Sequence, residues 1–174
     1  HQLLAAQYLR MGHPKSFLTS GSFGTMGFGM PSAVGAHYAN TNATVIVVDG
    51  DGSFRMNMGE VHTIGTLDLP IKVLLLNNHA DGMVKNLEDV AYGGRHSASV
   101  RRQDVNFAEI AAQCRFRFAR RVAARAEDGV IEGLEPEDAD GRYLVGVQWH
   151  PEDLAPGDEA TRRLFAGHVE AARA

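Results

Sequence analysis

Two side chains stand out for the chemistry that their type and spacing permit. Asp51 sits between Gly50 and Gly52, and the pair Asn77-Asn78 follows twenty-four residues after that triplet. A carboxylate and a carboxamide oxygen are hard donors that suit Mg²⁺. That ion keeps octahedral oxygen geometry and is held by one or two protein groups plus phosphate oxygens. Flanking glycines allow tight turns and close approach of the backbone to a ligand. The residue types therefore point to a divalent cation that itself holds a diphosphate.

Such residues must be delivered by elements that end side by side. Val45 to Val48 and Val73 to Leu76 are short apolar runs rich in β-branched residues, the pattern of parallel strands buried on both faces. Each run ends abruptly in the polar residues just named, and open α/β sheets bind ligands beyond the carboxyl ends of their strands. Between the runs, Met56 to Leu67 fits a helix closed by Leu69-Pro70. Upstream, His1 to Met11 has helical spacing without a start signal, as if the chain opened in mid-element. His13-Pro14 closes that helix and Phe17 to Thr19 reads as a short strand. Gly21, Gly24, Gly27 and Gly29 then precede Pro31, which suits the first turn of a helix running to about Asn40. This glycine loop has neither a Walker lysine nor the Gly-x-Gly-x-x-Gly order, yet its missing side chains let backbone amides approach an anion.

Asp49-Gly-Asp51-Gly-Ser53 with Glu60 also imitates a calcium loop. Its sixth position is Phe54 where glycine is required, and a strand precedes it rather than a helix. Gly82 to Gly94 reads as loop and short helix, and Phe107 to Cys114 as a helix on which Cys114 is a small core residue. Beyond Arg120 the composition changes from an arginine-rich patch (Arg115, Arg117, Arg120, Arg121, Arg125) to an acidic stretch. Val122 to Leu134 reads as a hairpin turning at Asp128-Gly129, Tyr143 to Trp149 as a strand, and Asp158 to Arg173 as an amphipathic helix. The expected fold is α/β: three layers, a mainly parallel sheet with helices on both faces, and a C-terminal β-hairpin addition.

A length of 174 residues favours one domain, or one plus a small appendage. The net charge of −4, without a basic patch interleaved with aromatics, gives no reason to expect nucleic acid. One cysteine excludes an internal disulfide, and no apolar run or signal-peptide layout directs the chain to a membrane or out of the cell. A soluble, cytoplasmic protein is the expectation.

The Gly50-Asp51-Gly52 and Asn77-Asn78 pair resembles the thiamine-diphosphate signature of the acetolactate synthase family. The resemblance runs from His1 to about Val122. It includes Thr19-Ser20-Gly21, Gly24 to Pro31, Gly50 to Asn57 and Leu74 to Val84. It implies that Asp51 and Asn78 give side-chain oxygens to Mg²⁺ and Ala80 its backbone carbonyl. It implies that His1, Gly24, Met26, Gly52, Ser53, Gly82 and Met83 line the diphosphate and thiazolium of thiamine diphosphate. The cofactor then acts as an ylide that adds to a 2-oxo acid and expels CO₂. In this family a glutamate from a separate pyrimidine-binding domain is also needed, so a homo-oligomer or a subunit carrying that domain is the expected partner. The sequence departs from the synthases at Leu87, usually tryptophan, and at His79-Ala80-Asp81, commonly Gln-His-Leu.

Residues from about 123 to 174 resemble the end of class I glutamine amidotransferases, in their γ-glutamyl-γ-aminobutyrate hydrolase branch. Ala126 to Glu132, Gly146 to Glu152 and the closing helix carry that likeness. It implies a base at His150 and an orienting acid at Glu152, acting on a cysteine nucleophile. The strand-to-helix turn that would present such a cysteine is absent from this sequence. The chain thus reads as two joined, incomplete modules, 1–122 and 123–174, the second packed on the sheet of the first. Three functions follow: a thiamine-diphosphate and Mg²⁺ domain, a hydrolase of γ-glutamyl amides, or a catalytically silent α/β scaffold.

Overall fold

The structure is a computed structural model that describes residues 1–102, 105–122 and 143–147, the last of these as backbone. Its elements are α1 (Gln2–Tyr8), α2 (Gly29–Ala39), β1 (Val45–Gly50), α3 (Asp51–Met56), α4 (Gly59–Thr66), β2 (Ile71–Leu76), α5 (Gly82–Tyr92), α6 (Phe107–Gln113), β3 (Phe118–Val122) and β4 (Tyr143–Val147). The four strands form one sheet in the order β1-β2-β4-β3, and every pairing is parallel. In register, Val45 faces Ile71 and Gly50 faces Leu76, so β1 and β2 end level with each other.

That level ending follows from hydrophobic pattern. Ile71, Val73 and Leu75 alternate onto one face of β2 and are buried with Met30 of α2, Phe54 of α3, Ile64 of α4 and Phe107 of α6. Leu74 and Leu76, on the opposite face, are buried as well, so this strand is shielded on both sides. Each such side chain contributes about 1.5–3 kcal/mol of burial free energy, and slipping the register by one residue would exchange the two faces. Phe54 and Phe107 meet edge to face with centroids 5.4 Å apart. A close approach fixes α4 against α6: a Cβ on Gly65 would lie 1.6 Å from the Cys114 carbonyl oxygen.

The α/β class and parallel sheet are as expected, with differences in detail. Phe17 to Thr19 is not a strand; the Gln2 amide donates to Thr19 Oγ1 at 2.6 Å and to the Ser20 carbonyl at 3.2 Å, so side-chain bonds replace a ladder. The helix expected from Met56 starts earlier, at Asp51, and breaks at Asn57-Met58 before α4. The segment after Asp81 is a full eleven-residue helix ended by Gly93 in the left-handed region at φ 62°. Phe118–Val122 is a strand rather than only an arginine patch, and β3 is the edge of the described sheet, where charged side chains suit solvent. The strand expected from Tyr143 lies between β2 and β3. The hairpin turning at Asp128-Gly129 and the helix from Asp158 lie outside the described residues.

Candidate functional site

The level ends of β1 and β2 release two turns into the same space. The first turn enters α3 directly, with Asp51 as the helix's first residue, 1% exposed. The second carries Asn77 and Asn78, each in an Asx turn: Asn77 Oδ1 accepts from the His79 N–H and Asn78 Oδ1 from the Ala80 N–H, both at 3.1 Å. His79 takes φ 56°, which bends the chain back so that Ala80 bridges Val100 in antiparallel fashion. Asp81 N–H donates to the Ser99 carbonyl at 2.8 Å and Arg101 N–H to the His79 carbonyl at 2.7 Å, completing that bridge.

Asp51 is the electrostatic focus. Burial pushes its carboxyl above the usual aspartate range, opposed by the Arg101, Arg55 and His79 charges and by the Asn78 backbone N–H beside it. Arg101 Nη1 donates to Asp51 Oδ2 at 3.2 Å, while Nη2 bonds Asp81 Oδ1. Asp51 Oδ1 is buried with no hydrogen-bond partner among the described residues. Asp49, 2% exposed, is a second buried carboxylate: Oδ1 accepts from Gly50 N–H at 3.0 Å, and Oδ2 is likewise unpartnered. Burial raises its pKa too, against the nearby Ser53 hydroxyl and the Gly50 N–H.

The glycines have measurable reasons. A Cβ on Gly52 would lie 2.1 Å from Asp81 Oδ1, 2.8 Å from Arg101 Nη2 and 3.0 Å from Met26 Cε. One on Gly50 would lie 2.8 Å from His1 Nδ1, and one on Gly82 3.1 Å from Asn78 Nδ2. The glycine loop is pinned to α3 through Gly27, at φ 84°, whose N–H donates to Ser53 Oγ at 2.9 Å and whose carbonyl accepts from Asn57 Nδ2 at 2.6 Å.

The expected residues therefore gather unevenly. Asp51, Gly52, Ser53, Met26, Asn78 and Gly82 stand around one another through these contacts. His1 covers Gly50 with Nε2 3.5 Å from Asp49 Oδ1, and Ala80 is buried in the second turn. Gly24, at φ 60°, closes a turn onto the Ser20 carbonyl, 2.8 Å away, and Met83 is 66% exposed. His150 and Glu152 lie outside the described residues, and Cys114 ends α6 half-buried against the core rather than on a nucleophile turn. Arg101 joins the site without a sequence signal, while Asp49 stands out only in the calcium-loop imitation and Asp81 only as a departure from the family pattern. Arg101 stands fifty residues from Asp51, beyond any local pattern.

The donor set fits Mg²⁺. A buried carboxylate oxygen lacks a partner among the described residues, and the Asn78 carbonyl oxygen keeps a second lone pair. No cluster of three or more His, Cys, Asp or Glu side chains suited to a metal occurs among the described residues. A site of the present kind, with one carboxylate, an amide and external phosphate oxygens, does not need one.

Residues 1–142 match the family model described as thiamine pyrophosphate enzyme, C-terminal TPP binding domain. An acetolactate synthase isozyme 2 large subunit of Escherichia coli K12 is 41% identical over 148 residues, 84% of this chain and 26% of that protein. An acetolactate synthase 3 of Brassica napus is 37% identical over 165 residues, 90% of this chain and 25% of that one. Both alignments are longer than the 122-residue first module. The chain spans about a quarter of the length of these two relatives. A thiamine diphosphate-dependent 4-hydroxybenzoylformate decarboxylase of Rhodococcus jostii RHA1 shares the fold at TM-score 0.56 and 23% identity, over 71% of this chain and 23% of that one.

Proposed function

Because the chain belongs to the family of thiamine pyrophosphate enzymes through their C-terminal TPP binding domain, we propose that the turns after β1 and β2 are its Mg²⁺–diphosphate site. The observation that carries this is the buried Asp51 carboxylate, with one oxygen unpartnered, beside the Asn78 turn. Asp51 Oδ1 and Asn78 Oδ1 hold the cation, with the Ala80 carbonyl completing the protein's share. Gly52 and Ser53 bring backbone N–H groups of the first turn of α3 toward the diphosphate, where the helix dipole favours negative charge. His1, Gly24, Met26, Gly82 and Met83 enclose the rest of the cofactor. When bound, thiamine diphosphate supplies the electron sink for 2-oxo acid decarboxylation and carboligation. The chain's own residues bind and orient it and keep water from the cation.

A 2-oxo acid substrate and a pyrimidine-binding partner, from a second copy or another subunit, belong to this proposal. Support for the partner is that α5, which follows the second turn, exposes Met83, Val84, Leu87 and Val90, the last at 82%, to solvent. We place the amidotransferase-like segment from residue 123 onward in a supporting role, since β4 lies inside the sheet. A cytoplasmic location is part of the same reading; no helix among the described residues is long and apolar enough to cross a membrane.

The test is thermal unfolding of the full chain with thiamine diphosphate and Mg²⁺, singly and together. The expected result is a rise in melting temperature that needs both and disappears in Asp51→Ala, as mass action requires of a ligand bound only by the native state. No rise at millimolar concentrations of both would overturn the reading.

A further inference from the structure

The reading of Asp51 as a cation ligand leaves one strong contact unexplained. Arg101 is 19% exposed, and its two terminal nitrogens are divided between two carboxylates, Nη1 on Asp51 and Nη2 on Asp81. Its backbone is tied down by the bond to the His79 carbonyl, at 2.7 Å, in the bridge that joins residues 79–81 to residues 99–101. The base of the side chain is thus fixed, while among the described residues the guanidinium is held by its two acids. Gly52 makes room for this arrangement, since any Cβ there would lie within 2.8 Å of both Asp81 Oδ1 and Arg101 Nη2. A bare carboxylate as buried as Asp51 is costly, and the Arg101 guanidinium against its Oδ2 offsets that cost.

Resting on that reading, we propose that Arg101 is an internal counter-cation. It neutralises Asp51 in the metal-free protein, must give up Asp51 when a divalent cation binds, and keeps Asp81 as its second anchor. A divalent ion and a guanidinium on the same carboxylate repel each other in a weakly screened setting. With Arg101 on Oδ2 and the cation on Oδ1, the two occupancies oppose one another, and the apparent metal affinity falls with the fraction of molecules in which Arg101 holds Asp51. Asp81 sets that fraction, because it gives the displaced guanidinium a place to stay. No proton moves: the divalent ion takes its place on Asp51 and Arg101 remains paired with Asp81, so the site gains two positive charges.

Binding of Mn²⁺ to the full chain, followed by the electron paramagnetic resonance signal of the free ion with no organic cofactor present, tests this. Arg101→Gln is expected to bind Mn²⁺ about tenfold tighter than the wild type, a coupling of ordinary size. Arg101→Lys, whose single ammonium cannot bridge two acids, falls between them. Asp81→Asn binds several-fold more weakly, and that loss is expected to vanish in the Arg101→Gln background. Circular dichroism confirms the fold of each variant, and Arg101→Lys serves as the probe should the glutamine variant fail to fold. Equal or weaker binding in the folded Arg101 variants overturns the counter-cation while leaving the metal site standing. Absence of Mn²⁺ binding in every protein removes the metal site and this inference with it.

Discussion

The turn after β1 and the turn after β2 end neighbouring strands at the same level, yet they solve opposite problems. The second is closed on itself: both asparagine side chains accept from the backbone two residues on, and the following segment pairs with residues 99–101. The first is left open. Asp51 is the first residue of α3, and one of its oxygens has no partner among the described residues. Buried polar groups are almost always satisfied, and an orphan of this kind marks either strain or an absent ligand. The difference separates two tasks. One turn carries a buried carboxylate with one oxygen unpartnered among the described residues, and the other is closed by its own side-chain bonds.

The sharpest way to break this comparison is to neutralise the open turn. At a hundredfold excess of the metal and cofactor over their dissociation constant, the wild type is expected to gain about 2.7 kcal/mol. Asp51→Asn loses that entire gain, while Asn78→Ala keeps a reduced one; equal losses in thermal unfolding would mean the turns share one role. The glycines divide the same way. Gly52→Ala puts a methyl group against Asp81 and Arg101 and is expected to cost about 1–3 kcal/mol, as overpacking does. Gly82→Ala meets only the Asn78 amide at 3.1 Å and gains helix propensity, so urea unfolding should place it within about 0.5 kcal/mol of the wild type.

How much of this was legible beforehand follows the same division. The apolar runs of β1 and β2, and the polar residues that end them, locate both turns from sequence because strand burial and strand termination are local patterns. The break at Asn57-Met58 and the strand β3 were not legible. The first depends on Asn57 turning its amide to the Gly27 carbonyl thirty residues away, and the second is masked by Arg120 and Arg121 at a sheet edge. The pairing of Arg101 with Asp81 escaped for the same reason: it depends on the bridge between Ala80 and Val100, which forms only once the chain has bent back at His79. Local periodicity finds elements, whereas contacts between distant turns appear only in the folded chain.

A smaller effect tests whether the second turn is rigid by its own bonds. Asn77→Ala and Asn78→Ala each remove one acceptor from a backbone N–H and are expected to cost about 1 kcal/mol without any ligand. Amide hydrogen exchange at His79 and Ala80 should quicken in the matching variant. Unchanged exchange would assign the rigidity to the bridge with residues 99–101 instead.

The most graded prediction concerns pH, and its sign again separates the turns. Burial raises the folded pKa values of Asp49 and Asp51 above the ordinary 3.8. The native state then holds protons more firmly than the unfolded chain, so the stability these groups confer is complete below 3.8 and is lost as pH rises through the raised values. Each group contributes a slope of at most about 1.4 kcal/mol per pH unit. Glu88 and Asp89 behave oppositely: hydrogen bonds from Ser99 and Lys85 lower them, so what they contribute is lost as pH falls through their lowered values. The share of metal-free stability owed to Asp49 and Asp51 should therefore decline as pH rises through their raised values. Asp51→Asn should flatten part of that decline, and saturating Mg²⁺ should flatten the same part in the wild type by holding the carboxylate charged. If Mg²⁺ leaves the slope unaltered while Asp51→Asn changes it, the charge in the open turn is real but belongs to Arg101 alone, and the contrast between the turns loses its metal.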